Sequence, residues 1–550
     1  MRRHFNTNSP PPDEDIEHLQ LFRNQASQEL LDLNTERIEL ERSILTMCGR
    51  IAEVRCLTTK KEFSVDLCHR ILSPLRRLPP EILEEIFLTC KDDALGMPHT
   101  TLRKQLPSVL SQVCQLWRQV AINLPRLWDT FRVDYKPTTT FYPPELSHHL
   151  VPLSRVIDIW AHRSKPLPMN IAIHSNHQFS GSRPVHLSLV ASLRNLSERI
   201  RSLDIQTGLK SVLEPIFSLP AAEFPALESL QISATEFGVW NSPITAFGVA
   251  PKLRKVTLDI RPAHPFRIFL PWAQITHLDM LNAKDPLDLF TWGILFRSVL
   301  NLVQGRVRLT EEARVRDPLR DSLPRVNQST ELTLPALNLL TIEFAHRLRS
   351  ANIQHLTPFI PPNLSVPALR HFHFSSKLHP FNWFPVLNET LVPQILGQLK
   401  SLTLLQVRML PDRLINMLRM TTSLEELKFN SMNSNWNLGD NIYFLDTLSI
   451  KGANANPGEP STTFIAPRLR KIGLWVDDKC GELLSSYTSL ILSRRLENPE
   501  NAAYQGTGDF RVLLMLDKDR PDLIHAIAPL LVMRGSRGEK LVDVELVEVH

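Results

Sequence analysis

Pro225-Ala-Leu227-Glu-Ser-Leu230-Gln-Ile232 sets out a grammar that recurs through most of this chain: an apolar residue, another three positions on, and a third two positions later. Pro251-Lys-Leu253-Arg-Lys-Val256-Thr-Leu258, Pro335-Ala-Leu337-Asn-Leu-Leu340-Thr-Ile342 and Pro367-Ala-Leu369-Arg-His-Phe372-His-Phe374 repeat it. Further copies are Ile200/Leu203/Ile205, Ile275/Leu278/Met280, Leu402/Leu405/Val407, Leu424/Leu427/Phe429, Leu445/Leu448/Ile450 and Leu469/Ile472/Leu474. Side chains alternate across a strand, so the last two apolar positions share a face while the first closes the turn that feeds them. Each copy is expected to be a short strand with one buried face. Helix-capable stretches such as Asp285 to Leu302 and Leu391 to Leu399 lie between copies. One such unit cannot cover its own apolar side and must stack on the next.

The pattern resembles leucine-rich repeats, L-x-x-L-x-L, but departs from them three positions beyond the last apolar residue. Where that family carries Asn or Cys, this chain has Thr235, Arg261, Ala345, Lys377, Leu410, Met432, Ala453 or Asp477. No asparagine ladder can form, so the expectation is an irregular leucine-rich-repeat-like β/α solenoid over residues 150–509. The copies are most widely spaced around 281–336, where Arg297 to Arg325 contains Arg306, Arg308, Arg314, Arg316 and Arg320, offset by Glu311, Glu312, Asp317 and Asp321. This segment reads as a solvated insertion, with an anion- or nucleic-acid-binding arm as the alternative. Residues 510–550 read as strand, helix and strand, a C-terminal cap able to hide the last repeat's apolar face.

Toward the other end, residues 1–15 carry Pro10-Pro-Pro12 and Asp13-Glu-Asp15 and are expected to form a disordered tail. Heptads come next. Ile16, Arg23, Leu30, Arg37, Ile44 and Ile51 fall at a; Leu19, Ala26, Leu33, Leu40, Met47 and Val54 fall at d. Residues 16–54 contain no proline, which predicts a helix of about 39 residues, roughly 58 Å long. The expected domain is a long helix or coiled coil over residues 16–72. Two readings stay open: homodimerisation through residues 16–54, or an apolar stripe that folds back on the neighbouring domain. Arginine at two a positions weighs against a dimer core unless both side chains reach its rim.

Apolar residues make up 43% and charged residues 22% of the 550, near globular averages, but there are only 18 glycines against 42 prolines. Phosphate-cradling loops need glycine for positive φ and close backbone approach, so nucleotide enzymes are disfavoured. A net charge of +5 over this length carries no general expectation of nucleic-acid binding. Cys48, Cys56, Cys68, Cys90, Cys114 and Cys480 form no C-x-x-C pair and are expected to be reduced core thiols. The start lacks the apolar run of a signal peptide and no stretch has the length of a membrane span, so a cytoplasmic or nuclear location is expected, with no membrane partner. The sequons at Asn195, Asn327, Asn363 and Asn388 are then chance matches.

Between the heptads and the repeats lies Leu78-Pro-Pro-Glu-Ile-Leu-Glu-Glu-Ile-Phe87. Leu78 precedes a proline and is driven out of the helical region, Pro80 suits a first helical turn, and Glu81 complements its positive end. Ile82, Leu83, Ile86 and Phe87 then share one face. Pro107-Ser108 begins a second helix, in which Leu110, Val113, Cys114, Trp117 and Ala121 are expected to share a face before Pro125-Arg-Leu-Trp128. A private helical bundle over residues 73–134 would explain the pattern. Yet fewer than about 60 residues bury little surface alone, and modules of this size usually complete their core against a partner.

Leucine, double proline, Glu-Ile-Leu and Ile-Phe, followed by Val113, Cys114, Trp117 and Arg118, resemble an F-box, as carried by the F-box proteins abundant in mushroom-forming fungi. The resemblance implies a small all-α F-box module that docks a Skp-type adaptor within a cullin ubiquitin ligase. It implies adaptor-binding roles for Leu78, Pro79, Pro80, Ile82, Leu83, Ile86 and Phe87 from the first helix, and for Val113, Cys114 and Trp117 from the second.

Bond chemistry finds little support. His148-His149 follows Pro143-Pro144 as a solvated pair; Gly506-Thr-Gly508 lacks a third glycine; Gly535-Ser-Arg-Gly-Glu-Lys540 lacks phosphate-loop spacing. No catalytic residue, metal or cofactor is assigned. The expectation is a non-enzymatic α/β protein, either a ligase substrate receptor whose repeats bind an unidentified protein target, or a non-ligase interaction scaffold.

Overall fold

The structure, a computed structural model, describes residues 10–94, 105–135, 151–175, 187–207, 216–234, 244–260, 266, 268–281, 286–310, 331–345, 364–376, 381–382, 395–430, 436–449, 465–476, 480–495, 510–518, 520, 523–535 and 538–547. The chain divides into two compact units, Met1–Ile86 and Phe87–His550.

The first unit is dominated by α1, Asp13–Leu72. Its 60 residues exceed the predicted 39 and give a rod about 90 Å long. Asp13, Glu14 and Asp15, expected in the tail, form its first turn, where three carboxylates meet the positive end of the helix. Gly49 lies mid-helix with no atom near the position of a side chain, so the helix passes through it. Helix α1 stops at Ser73, whose φ of −52° and ψ of 129° answer the steric demand of Pro74 on the residue before it. The seam from Leu30 to Val54 is exposed along its length, and Leu31, Ile38 and Leu45 form a further exposed apolar row. Cys48, Cys56 and Cys68 on α1 are exposed, as are Cys90 and Cys114; only Cys480 is a core thiol. The expectation of core cysteines fails for three of them because α1 is exposed along its length, and for Cys90 and Cys114 because they lie on outward positions of short helical segments.

Helix α2, Pro80–Ala94, runs across the boundary between the units. Within the second unit, the single helix predicted after Pro107 is two: α3, Leu106–Val113, and α4, Gln115–Asn123. Cys114 breaks them with φ −157° and ψ 175°, and its Sγ accepts the Trp117 N–H at 3.5 Å as the cap of α4. Arg118 Nε donates to the Ser111 carbonyl at 2.8 Å across the break. The predicted common face is therefore lost: Leu110 and Ala121 are buried while Val113 and Cys114 are exposed.

Trp128 anchors the chain beyond α4. Its Nε1 donates to the Ala121 carbonyl at 2.6 Å, its ring meets Trp160 edge-on at 4.7 Å, and the Arg163 guanidinium lies 4.3 Å from it. Burial lowers the Arg163 pKa from its ordinary value.

The described strands are β1 (Thr130–Tyr135), β2 (Met169–Ser175), β3 (Ile200–Thr207), β4 (Ser229–Ala234), β5 (Lys255–Ile260), β6 (His277–Met280), β7 (Leu287–Asp288), β8 (Gln304–Thr310), β9 (Leu332–Thr333), β10 (Leu339–Phe344), β11 (Leu364–Ser365), β12 (His371–Ser376), β13 (Phe381–Asn382), β14 (Ser401–Leu405), β15 (Val407–Arg408), β16 (Glu426–Phe429), β17 (Lys471–Trp475), β18 (Arg511–Asp517) and β19 (Val542–Val547). Fifteen of them form one parallel sheet in the order β1-β2-β3-β4-β5-β6-β8-β10-β12-β14-β16-β17-β18-β19, with β7 beside β8. Among the described residues β9 pairs with β11 and β13 with β15, again in parallel. Helices include Val151–Arg163, Leu187–Leu196, Leu289–Ser298, Pro411–Met420, Leu438–Leu448, Leu484–Arg495 and Leu523–Leu531. The fold is thus mixed α/β: a long N-terminal helix, then a large parallel sheet with helices.

The sheet obeys the repeating grammar. Leu230 and Ile232, Val256 and Leu258, Leu340 and Ile342, and Phe372 and Phe374 are buried in matching register. The first apolar residue of each copy turns the chain, as where the Leu227, Leu253 and Leu369 N–H groups donate to Phe224, Ala250 and Val366. The next residue extends the ladder: Glu228 donates to Arg201, Arg254 to Glu228, Thr276 to Arg254 and Val303 to Thr276.

Two copies differ from the pattern expected of them, and one further copy is present. Leu445 and Leu448 lie in helix Leu438–Leu448, because Asn437 and Asp440 form a reciprocal capping box that starts a helix; Ile450 lies outside the described residues. The copy read as Leu402/Leu405/Val407 is shifted by three. The buried residues are Leu399, Leu402 and Leu404, and Gln406 takes a positive φ of 57°. An unrecognised copy, Leu302/Gly305/Val307, makes β8, with glycine in an apolar slot. A methyl group there would stand 3.1 Å from Leu302 and 3.3 Å from Leu340, so the strand closes over a neighbour that fills the space.

This strand also corrects the reading of the arginine-rich segment. Arg306 and Arg308 are on β8, not in a solvated insertion; Arg314, Arg316 and Arg320 lie outside the described residues, as do His148-His149 and Gly506-Thr-Gly508. Residues Arg511–Asp517, Leu523–Leu531 and Val542–Val547 are strand, helix and strand, and β19 continues the parallel sheet next to β18.

Candidate docking surfaces

Helix α2 sorts its apolar residues into two rows about 100° apart, because consecutive residues are separated by that angle. Leu83 and Phe87 form the inner row and are 0% exposed; Ile82 and Ile86 form the outer row, 48% and 39% exposed. Leu78 is half-buried, and Pro79 and Pro80 are exposed. Of the ten residues expected to bind an adaptor, Leu83 and Phe87 are thus committed to the protein's own core. Phe87 is held there by Trp117, with ring centroids 5.1 Å apart at 61°.

In the second unit, Val113 is 55% exposed and Val109, four residues earlier on α3, is 45% exposed. Val109 was not among the predicted site residues. Its signal was the i, i+4 spacing to Val113, masked in the sequence by the assumption of one continuous helix through Cys114. Cys114 is exposed and Trp117 partly so. Lys91 ties the end of α2 to the turn before β1, donating to the Arg126 carbonyl at 2.6 Å and pairing with Asp129 at 2.5 Å.

A second surface lies on the side of the sheet that the repeats leave out of the core. At its β1 end it carries both signs: Asp204 meets His174 at 2.9 Å and Asp259 accepts from Ser233 at 2.8 Å, while Lys255 shares the outward face of β5 with Asp259. Two ion pairs lie across β8: Arg306 with Asp279 at 2.8 Å and Arg308 with Glu343 at 2.9 Å. His373, two strands on from Arg306, has its pKa lowered to about 4 by burial, then by Lys428 and Arg306. Its ring is neutral near pH 7. Toward β18 the same side turns apolar, where Trp475, Leu513 and Met515 cluster with Leu405 against them.

Among the described residues no group of three His, Cys, Asp or Glu is placed to hold a metal ion, and no helix is long and apolar enough to cross a membrane. No protein-family model matches the chain, and no curated protein matches it.

Proposed function

We propose that the protein is the substrate-recognition subunit of an SCF-type ubiquitin ligase, a non-catalytic receptor of the F-box class working in the cytoplasm or nucleus. One observation carries this reading: apolar pairs at i, i+4, Ile82/Ile86 on α2 and Val109/Val113 on α3, stay exposed on short helices that bear the F-box wording. Exposed aliphatic residues at that spacing suit insertion between the helices of a Skp-type adaptor. Leu78, Pro79, Pro80, Ile82, Ile86, Val113, Cys114 and Trp117 meet the adaptor, as does Val109. Leu83 and Phe87 are buried and are left out of the contact, Phe87 being held edge-on by Trp117.

The repeated turn ladder and strand register support an irregular leucine-rich-repeat-like solenoid. Its polar sheet side, of mixed charge over most strands and apolar at Trp475, holds the protein target near the ubiquitin-carrying enzyme. The work is binding, so no residue performs bond chemistry and no cofactor takes part.

Co-purification of a Skp-type adaptor and cullin with the full chain tests the assignment. Recovery should be lost in Ile86→Asp while the melting curve is unchanged; absence of the adaptor from wild-type preparations refutes the assignment. A non-ligase scaffold is the second reading, favoured by the exposed seam of α1, and it predicts recovery of other copies or partners without any adaptor.

A further inference from the structure

We infer that α1 pairs with a second copy of itself, and that the two helices run antiparallel. Leu30, Leu33, Leu40, Ile44 and Met47 are 59–64% exposed although they fall at a and d positions along one face, with Arg37 at the a position between Leu33 and Leu40. A seam of that length and spacing is the surface of a coiled coil, and it is covered by another helix. Charge decides which helix and which way it runs.

Residues 13–41 hold nine carboxylates and two arginines, a net charge of −7; residues 42–72 hold six basic and three acidic residues, a net charge of +3. The helix is an electrostatic bar with opposite ends, and two such bars attract head to tail and repel side by side.

The heptad positions say the same in detail. In a parallel pair a faces a, which sets Arg23 against Arg23 and Arg37 against Arg37 inside the seam. Residues at g then face e of the next heptad, giving Glu36 against Glu41 and Arg50 against Arg55, each twice. An antiparallel pair sets a against d and g against g. With Arg37 of one copy opposite Leu40 of the other, Arg23 meets Val54, no arginine meets an arginine, Glu29 faces Arg50 twice and Phe22 faces Leu57 twice.

Both a-position arginines can stay at the rim. Arg37 already turns to Glu41 of its own helix at 2.7 Å and is 61% exposed, so its aliphatic stem can cover the seam while its charge remains wet. In this register the two Leu72 ends lie about 100 Å apart, at opposite ends of the paired rods. The inference rests on α1 alone and does not depend on the adaptor-docking reading.

Sedimentation equilibrium of the full chain gives the test. The wild type should be dimeric at micromolar concentration. Arg50→Glu should weaken the dimer ~10-fold or more, since it turns two attractions into repulsions, while Glu29→Arg combined with Arg50→Glu should return affinity to near wild type. Arg50 also pairs with Glu53 on its own helix at 2.6 Å, so circular dichroism must report equal helix content in every variant. In a parallel dimer Arg50→Glu would relieve Arg50 against Arg55 and tighten association. A monomeric wild type, a tightened or unchanged Arg50→Glu variant, or failure of the double variant to recover would each overturn the inference.

Discussion

Lys428 lies across Gly473. A methyl group on Gly473 would stand 2.9 Å from Lys428 Cγ and 3.4 Å from its Cβ, and the lysine passes over this gap to meet Glu545 of β19 at 3.1 Å, 117 residues away in sequence. The strands β16, β17, β18 and β19 are consecutive neighbours, so the ion pair bridges two intervening strands, Lys428 leaning over Gly473 of β17, which has no side chain, and Glu545 reaching from β19.

Alanine in place of a strand glycine is ordinarily favourable, since it narrows the unfolded ensemble. At Gly473 the clash is with atoms close to the Lys428 backbone, which cannot swing away, so Gly473→Ala should destabilise the protein by about 1–2 kcal/mol. Denaturant unfolding should find the effect abolished or reversed on a Lys428→Ala background. Additive single effects would contradict the close approach.

His373 should make stability depend on pH. Its pKa falls from 6.5 to about 4 on folding, so the unfolded state binds the proton first as pH drops. The stabilising contribution is complete above pH 6.5 and is lost progressively as pH falls toward 4. Because the ring is partly exposed, at most about 2 kcal/mol should disappear by about pH 5. His373→Gln should flatten that part of a stability-against-pH profile measured by chemical denaturation.

Arg494 is 2% exposed, and its guanidinium donates to the carbonyls of Leu448 at 2.9 Å, Ala466 at 2.8 Å and Ile465 at 2.7 Å. It ties helix Leu484–Arg495 to the end of helix Leu438–Leu448 and to the turn before β17. Lysine cannot present a planar fork to three carbonyls, so Arg494→Lys should cost about 2–4 kcal/mol in thermal or denaturant unfolding, nearly as much as Arg494→Met. A lysine variant as stable as wild type would show that the fork geometry is dispensable.

The two rows of α2 should separate binding from folding. Phe87→Ala opens a cavity beside Trp117 and should destabilise the second unit by about 3–5 kcal/mol. Ile82→Asp changes an exposed position and should leave the melting temperature within a degree or two while abolishing adaptor recovery. Equal losses of stability in both variants would mean that the outer row is also core.

The repeats were legible because a parallel ladder demands the same three buried positions from every strand, and Leu227/Leu230/Ile232 meets that demand as plainly in sequence as in space. Legibility failed where one local rule concealed another. Gly305 occupies an apolar slot only because Leu302 and Leu340 fill it, and no pattern of apolar letters records that. Leu445 and Leu448 satisfy strand spacing and helix spacing alike, and Asn437 with Asp440 tips them to helix.

Alone, the amino-acid sequence determined the periodicities: a long heptad helix, a proline-started α2, and repeating strands with one apolar face. These arise from the twist and rise of the backbone, which any chain of these residues must obey. Tertiary structure decided which periodic face meets water. It buried Leu83 and Phe87 but left Ile82 and Ile86 outside, broke a helix at Cys114, and drew Arg306 and Arg308 onto a strand beside Asp279 and Glu343. Burial is a property of neighbours brought together from far along the chain, so it appears only once the sheet has assembled.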